Sequence, residues 1–320
     1  MAVSGTDAEG VLALRALGIG DLLVAVPALR GLRAAFPGER LVLAGPESLG
    51  ELVELIDAVD ELLPTAGLGA LKWPGPPPPA VAVNLHGSGP ESTTDLLSTN
   101  PERLIAHHHP GSSPVAGPEW IEDQHEVLRW CGLLEWHGIA ADPTDLTLPT
   151  PPGPSPAPGA AVVHPGAGLP PRRWPADRFA EVAAALHDEG HSVVITGSHS
   201  ERDLAHEVAG KAGLTAESVL AGRTGLAELC ALIAGASLVV CADTGAGHLA
   251  TAFGTPSVVL FGPVPPQRWG PPPERAQHVA LWGGDFGDPF GNEPDPGLLR
   301  ISAGDVLAAA RGAAAHRANS

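Results

Sequence analysis

Three turns in this 320-residue sequence bring together residue types that suit phosphate and hydroxyl chemistry. The first is Asp243-Thr244-Gly245-Ala246-Gly247-His248, directly after the apolar run LVVC. A helix predicted over Gly247 to Phe253 would start there, and the unpaired N–H groups and positive dipole end of such a start attract anions, a diphosphate included. Thr244 adds a hydroxyl donor, and His248 can donate from the first helical turn. A capped helix without a ligand is the plainer alternative, and it leaves the density of glycines unexplained.

The second turn is HPGAGLPPRRWP, His164 to Pro175, again after an apolar run. Its small residues leave the backbone accessible, and Arg172 with Arg173 form the only adjacent basic pair in the chain. In so acidic a protein, paired cations on a loop suit a phosphate. An exposed solubilising pair is the other reading. The third turn, RALGIGD (15–21), has Gly18 and Gly20 between a buried strand and a helix, with Asp21 at the helix start. As a dinucleotide fingerprint it is poor, because the third glycine and the later acidic residue are missing. Asp21 is either a cleft-facing general base or a carboxylate that satisfies free helix amides.

Other clusters point elsewhere. His107-His108-His109 have no ligand spacing and read as loop decoration rather than a metal site. Trp120, Trp130 and Trp136 lack helical spacing and suit core or pocket walls. Without a G-x-S-x-G elbow or a P-loop, serine hydrolysis and Walker-type ATP use lose support. Cys131, Cys230 and Cys241 are too few for a disulfide framework or a zinc site and read as reduced core thiols.

The elements that must position these turns follow one pattern. Strand, turn and helix alternate on both sides of PTPPGPSPAPG (149–159), a segment unsuited to helix or strand interiors and read as a linker. Before it come a strand Val11 to Arg15, a helix Leu22 to Phe36, a strand Leu41 to Ala44, a helix Glu47 to Ile56 and a strand Ala80 to Leu85. After it, four strands begin near residues 160, 192, 238 and 257, with helices between them and a terminal helix at Ser302 to Ala315 that could pack back across the linker. The expectation is an α/β protein of two doubly wound Rossmann-like domains, 1–150 and 151–320, facing across a cleft at the carboxyl ends of their strands.

Net charge is -18, with 44% hydrophobic and 17% charged residues. Residues 1–150 hold 7 basic against 20 acidic side chains, net -13, and residues 151–320 hold 11 against 16, net -5. Such a surface repels nucleic acid and anionic membranes. No window has the 18 or more apolar residues of a membrane span, and Met1 to Gly10 lacks the pattern of a signal peptide, so the cytoplasm is the expected location.

Taken in order, the motifs resemble the ADP-heptose heptosyltransferase family, glycosyltransferase family 9 of GT-B fold, over nearly the whole chain. LALRALGIGDLLVAVPALRGLRAAFPGERLVLAG is similar to that family's acceptor-domain opening. HPGAG with RRWP, VVITGSHSE, and RTGLAELCALIAGASLVVCADTGAGHLATAFGTPSVVLFGP are similar to its donor domain. The resemblance implies that Asp21 is the general base for the acceptor hydroxyl and that Arg172 binds donor phosphates where the family commonly has lysine. Thr244, Gly245 and His248 would form the diphosphate turn and Asp243 would shape it near the transferred sugar. Glu201 would hold the donor ribose, and Thr224 would lie near the adenine.

Glycosyl transfer develops positive charge at the anomeric carbon and negative charge on the leaving diphosphate. A carboxylate base on one side and cations plus helix amides on the other stabilise both without a metal. The expected reaction is inverting transfer of a heptose from an ADP-sugar, with the nucleotide sugar as co-substrate and no metal or other cofactor. Two departures bear on substrate. Arginine at 172 changes the geometry of the phosphate contact. The acidic first half fits a neutral or cationic glycoside acceptor better than an anionic lipid core. The alternatives are a GT-B transferase using another nucleotide sugar, a nucleotide-sugar epimerase or hydrolase, and a noncatalytic nucleotide-sugar binder.

Overall fold

Val11–Leu14 (VLAL) is buried at all four positions, as a parallel-sheet strand covered by helices on both faces must be. The computed structural model describes residues 10–112 and 115–317; the signal-peptide reading falls mainly on residues 1–9, outside the described residues. The chain divides into two units, Met1–Leu146 and Thr147–Ser320.

The first unit carries β1 (Val11–Leu14), β2 (Leu41–Gly45), β3 (Glu61–Pro64), β4 (Val81–Asn84) and β5 (Arg103–Ile105). They pair in parallel in the order β3-β2-β1-β4-β5. Leu14 of β1 faces Ala44 of β2 and Asn84 of β4. The chain winds outward from β1 to β3, then returns to the other side of β1, so the topological switch point lies between β1 and β4. In open α/β sheets, the crevice beyond the carboxyl ends at that point is where ligands bind.

The helix expected over Leu22 to Phe36 is in fact two, Ile19–Val24 and Val26–Ala35, with Ala25 between them. Pro27 has no amide hydrogen to give the Leu23 carbonyl, so the ladder is interrupted there. Likewise Glu47–Leu49 is a 3-10 turn leading into the helix Gly50–Ile56. β3 and β5, and the helices Glu91–Leu97 and Glu126–Trp136, were not expected from sequence. Glu126–Trp136 packs on Val26–Ala35. Its Trp130 is fully buried, whereas Trp136 is exposed.

The second unit carries β6 (Ala161–His164), β7 (Val193–Ile195), β8 (Leu238–Ala242), β9 (Ser257–Phe261) and β10 (His278–Trp282). These also pair in parallel, in the order β10-β9-β8-β6-β7, with the switch point between β6 and β8. β10 is an addition to the four strands expected. Helix Gly245–Phe253 lies so close to the sheet that a Cβ on Gly247 would sit 3.0 Å from Val259 Cγ2 and 3.3 Å from Cys241 Sγ.

The segment 149–159 belongs to this unit and is tied to it at both ends: Leu148 N–H donates to Ala252 O at 2.9 Å and Gly159 N–H to Gly235 O at 2.8 Å. The two units meet in sequence at 146/147, beside the 150/151 expected. The terminal helix, Ala303–Arg317, buries Val306, Ala310 and Ala313 in one cluster with Phe179, Val258 and Leu260. It packs on helix Ala176–Asp188 and on β8 to β10 of its own unit. Trp174 secures this end, its Nε1–H donating to Ile301 O at 3.1 Å while its ring meets Phe179 edge-on.

Candidate functional site

In the first unit, β1 delivers Arg15 and then the turn that starts helix Ile19–Val24. Gly18 is the N-cap residue, with φ -80° and ψ -175°, an extended conformation that other residues also adopt. Its amide donates to Asp21 Oδ2 at 3.2 Å. Arg15 Nη2 lies 3.4 Å from Asp21 Oδ1, and Arg15 Nε donates to the Asp21 backbone carbonyl at 2.9 Å. Asp21 therefore does serve a free amide, as the capping alternative holds. Its side chain nevertheless stays 29% exposed, while that of Arg15 is 1% exposed. Gly20 lies within the first turn of the same helix.

A charged and aromatic cluster supports this carboxylate. Arg15 also donates to Leu85 O, stands 4.0 Å from Glu126 Oε2 and lies 4.8 Å from the Trp130 ring centroid. Burial pushes its guanidinium below the ordinary value and Arg129 adds to this, while Asp21 and Glu126 oppose it. Glu126 accepts from Arg129 Nε at 2.8 Å, and Arg129 stacks 3.7 Å from the Trp120 centroid. His107, in the triplet read as loop decoration, is instead buried edge-on against Trp120 and Trp130. Burial lowers its pKa to about 4, with Arg129 acting the same way and the hydrogen bond to Pro118 O acting against.

Across the switch point, His86 follows β4 and is half-buried. The Ala16 amide donates to its Nδ1 at 3.2 Å. Burial first, then Arg15, hold the imidazole below its usual pKa, with Asp21 and Asp95 acting in the opposite direction.

In the second unit, Asp243 follows β8 and is 4% exposed. Thr244 is the N-cap of Gly245–Phe253, and its hydroxyl donates back to Ala242 O at 3.3 Å rather than capping the helix. The helix starts at Gly245, two residues earlier than expected. A small pocket is lined by Asp243, Thr244, Gly247, His248, Thr251, Val259, Phe261, Trp269 and Pro271. His248 meets Trp269 edge-on at 6.1 Å.

On the other side of this switch point, the turn after β6 places Arg172 Nη1 3.3 Å from Asp243 Oδ2. The two residues predicted from separate turns therefore meet as an ion pair. Arg173 instead donates from Nε to Ala167 O at 3.0 Å, so of the pair only Arg172 is ion-paired with Asp243. Glu201 accepts from both the amide and the hydroxyl of Ser198, at 2.7 and 2.8 Å. Burial acts against its charge, yet these bonds, together with His164 and Arg173, hold its carboxyl below the usual range. It also presses on the HPGAG turn: a Cβ on Gly166 would lie 2.1 Å from Glu201 Oε1. Thr224 is half-buried just before Gly225, the N-cap of helix Leu226–Ala234.

All three cysteines are buried and outside any disulfide, and burial raises the Cys131 and Cys241 thiols to about 12, far from nucleophilic use at neutral pH. Among the described residues, no three His, Cys, Asp or Glu side chains form a group that could hold a metal. No described helix is long and apolar enough to cross a membrane. Arg15, His86 and Glu126 were missed by sequence reasoning; β4 beside β1 brings His86 to the Ala16 amide, and helix Glu126–Trp136 brings Glu126 to Arg15.

Two parallel, doubly wound sheets in one chain are the architecture of the GT-B glycosyltransferases. The E. coli ADP-heptose lipopolysaccharide heptosyltransferase II structure matches with a TM-score of 0.76 at 21% identity, covering 97% of this chain and 99% of that one. The iron-containing dodecameric glycosyltransferase TibC of enterotoxigenic E. coli matches with a TM-score of 0.65 at 14% identity, over 98% and 78%. In sequence, lipopolysaccharide heptosyltransferase 2 of E. coli K12 is 37% identical over 123 residues, 37% of this chain and 35% of that protein. The chain thus spans about a third of the length of the curated relatives it matches. Residues 141–285 match the model of glycosyltransferase family 9 (heptosyltransferase).

Proposed function

We propose that the protein transfers a heptose from an ADP-sugar to an acceptor hydroxyl with inversion, with Asp21 as the general base. The observation that carries this is the state of Asp21, a carboxylate fixed by Arg15 and the Gly18 amide yet left 29% exposed beyond β1. A fixed and partly open carboxylate can take a proton from an incoming hydroxyl without reorganising. A single base acting on one acceptor oxygen, in line with the leaving group, inverts the anomeric centre.

On the donor side, the amides that open helix Gly245–Phe253, with Thr244, His248 and Arg172, receive the diphosphate. Asp243 shares Arg172 with that diphosphate and adjoins the transferred sugar. Glu201 holds the ribose, and Thr224 approaches the adenine. The first unit is the acceptor-binding half and the second the donor-binding half. The ADP-heptose named for the E. coli neighbour supports this choice of donor. The proposal includes metal-independent turnover, although TibC is iron-containing, and a cytoplasmic site of action, where three cysteines outside any disulfide stay reduced.

For the acceptor, a neutral or cationic glycoside is proposed. Of the seven basic residues in the first 146, Arg15, Arg30, Arg33, Arg40 and Arg129 are each paired with carboxylates of their own unit. That leaves little positive charge to recognise an anionic core, and nucleic acid is no partner of so acidic a surface.

Thermal stabilisation by a panel of nucleotide sugars tests the donor, because a ligand bound only by the folded state raises apparent stability by mass action. ADP-heptose and ADP are expected to raise Tm, with or without EDTA. Stabilisation by UDP- or GDP-sugars alone overturns the donor assignment.

A further inference from the structure

We infer that His86 binds the acceptor sugar, donating a hydrogen bond from Nε2–H to an acceptor oxygen beside the hydroxyl that Asp21 deprotonates. The inference rests on the transferase reading above and adds a residue to it. Its starting point is sheet topology. β1 and β4 flank the switch point of the first unit, so their carboxyl ends open on the crevice in which an α/β sheet holds its ligand. Asp21 comes from the β1 side of that crevice and His86 from the β4 side.

The proton on His86 is placed by its partner. A backbone amide can only donate, so the Ala16 N–H at 3.2 Å makes Nδ1 an acceptor. A neutral imidazole that accepts at Nδ1 carries its hydrogen on Nε2. Burial and Arg15 favour the neutral ring, so at neutral pH His86 presents one fixed donor. Among the described residues, nothing pairs with Nε2.

The backbone beneath the ring is held firmly. Asn84 is fully buried at the end of β4, and its Oδ1 accepts from the amides of His86 at 3.0 Å and Gly87 at 3.4 Å. Its Nδ2 donates to Ser92 Oγ at 2.9 Å and Thr93 Oγ1 at 3.2 Å. A donor fixed in this way loses little entropy when a sugar oxygen arrives. An uncharged donor also suits a sugar hydroxyl better than an anionic group.

Two substitutions separate this role from a purely structural one. His86→Asn keeps an acceptor near the Nδ1 position for the Ala16 amide and removes the donor at Nε2. His86→Gln does the reverse. The assay is ADP release from ADP-heptose with a panel of octyl glycosides (neutral, aminated and carboxylated), with Tm and donor KM followed in parallel. His86→Asn is expected to keep Tm and donor KM while acceptor kcat/KM falls about tenfold, the size of one lost neutral hydrogen bond. His86→Gln should retain more of the acceptor kcat/KM than His86→Asn. The opposite ranking, or wild-type acceptor kinetics in His86→Asn, overturns the role of His86 and leaves the transferase reading standing. No glycoside-dependent ADP release by the wild-type protein overturns the transferase reading, and the role of His86 with it.

Discussion

Arg15 and Asp21 are joined twice: Nε of the buried arginine donates to the Asp21 carbonyl at 2.9 Å, and Nη2 stands 3.4 Å from the carboxylate. One residue therefore fixes both the backbone and the side chain of the proposed base. Because Arg15 also faces Glu126 and donates to Leu85 O, it links the turn after β1 to the start of helix Glu126–Trp136.

Removing that arginine should cost both stability and turnover. Arg15→Ala leaves Glu126 and Asp21 with one cation fewer in a buried setting, for which about 3 kcal/mol is the expected loss in chemical denaturation. Arg15→Lys keeps the charge but not the fork. It should retain more stability than Arg15→Ala, and its kcat should fall at least tenfold with donor KM unchanged. Wild-type kcat in Arg15→Lys would show that Asp21 needs no such support.

The first unit's architecture was legible where apolar runs are long. β1, β2 and β4 were expected within a residue or two at each end, because a buried parallel strand leaves an unbroken apolar run. β5 is only Arg103–Ile105 and β3 is ELLP, too short and too polar to stand out. Arg15 was read only as the end of a strand. Its importance comes from partners up to 111 residues away in sequence, and the link from Ala16 to His86 spans 70, beyond any local pattern. The turns at 164–175 and 243–248 were legible as separate candidates, but that Arg172 meets Asp243 follows from β6 lying beside β8.

The pairing of Arg172 with Asp243 predicts opposite effects of two substitutions. Arg172→Ala removes a phosphate partner and should weaken ADP binding about tenfold or more, read by calorimetry. Asp243→Asn frees Arg172 from a competing carboxylate, so ADP should bind as tightly as to wild type or more tightly, while sugar transfer slows. Weaker ADP binding in Asp243→Asn would contradict the sharing of Arg172.

Gly166 tests Glu201. An added methyl there would meet Glu201 Oε1 at 2.1 Å, and the flexible end of that side chain would have to move. Gly166→Ala should therefore leave Tm within a few degrees of wild type while donor KM rises. An unchanged donor KM would remove Glu201 from the ribose contact.

Acid should weaken both units. His107 in the first and His278 in the second are held near 4, in each case by burial first, with Arg129 or Arg275 adding to it. Since their folded values lie below the unfolded value near 6.5, the unfolded chain binds more protons between those limits. The stability they confer is complete above about pH 6.5 and is lost as pH falls toward 4. From pH 7 to pH 5 each should cost about 2 kcal/mol in urea unfolding. His107→Gln should flatten that slope, and an unchanged slope would show that His107 is not buried in the neutral form.

The central claim is that Asp21 takes the acceptor proton, and Asp21→Asn tests it most directly. The amide keeps the shape, and its oxygen can still accept from the Gly18 amide, but it cannot serve as a base. Sugar transfer from ADP-heptose is expected to fall by a factor on the order of 10²–10⁴, with ADP-heptose stabilising the variant as it does the wild-type protein. Transfer by Asp21→Asn at the wild-type rate would contradict the account.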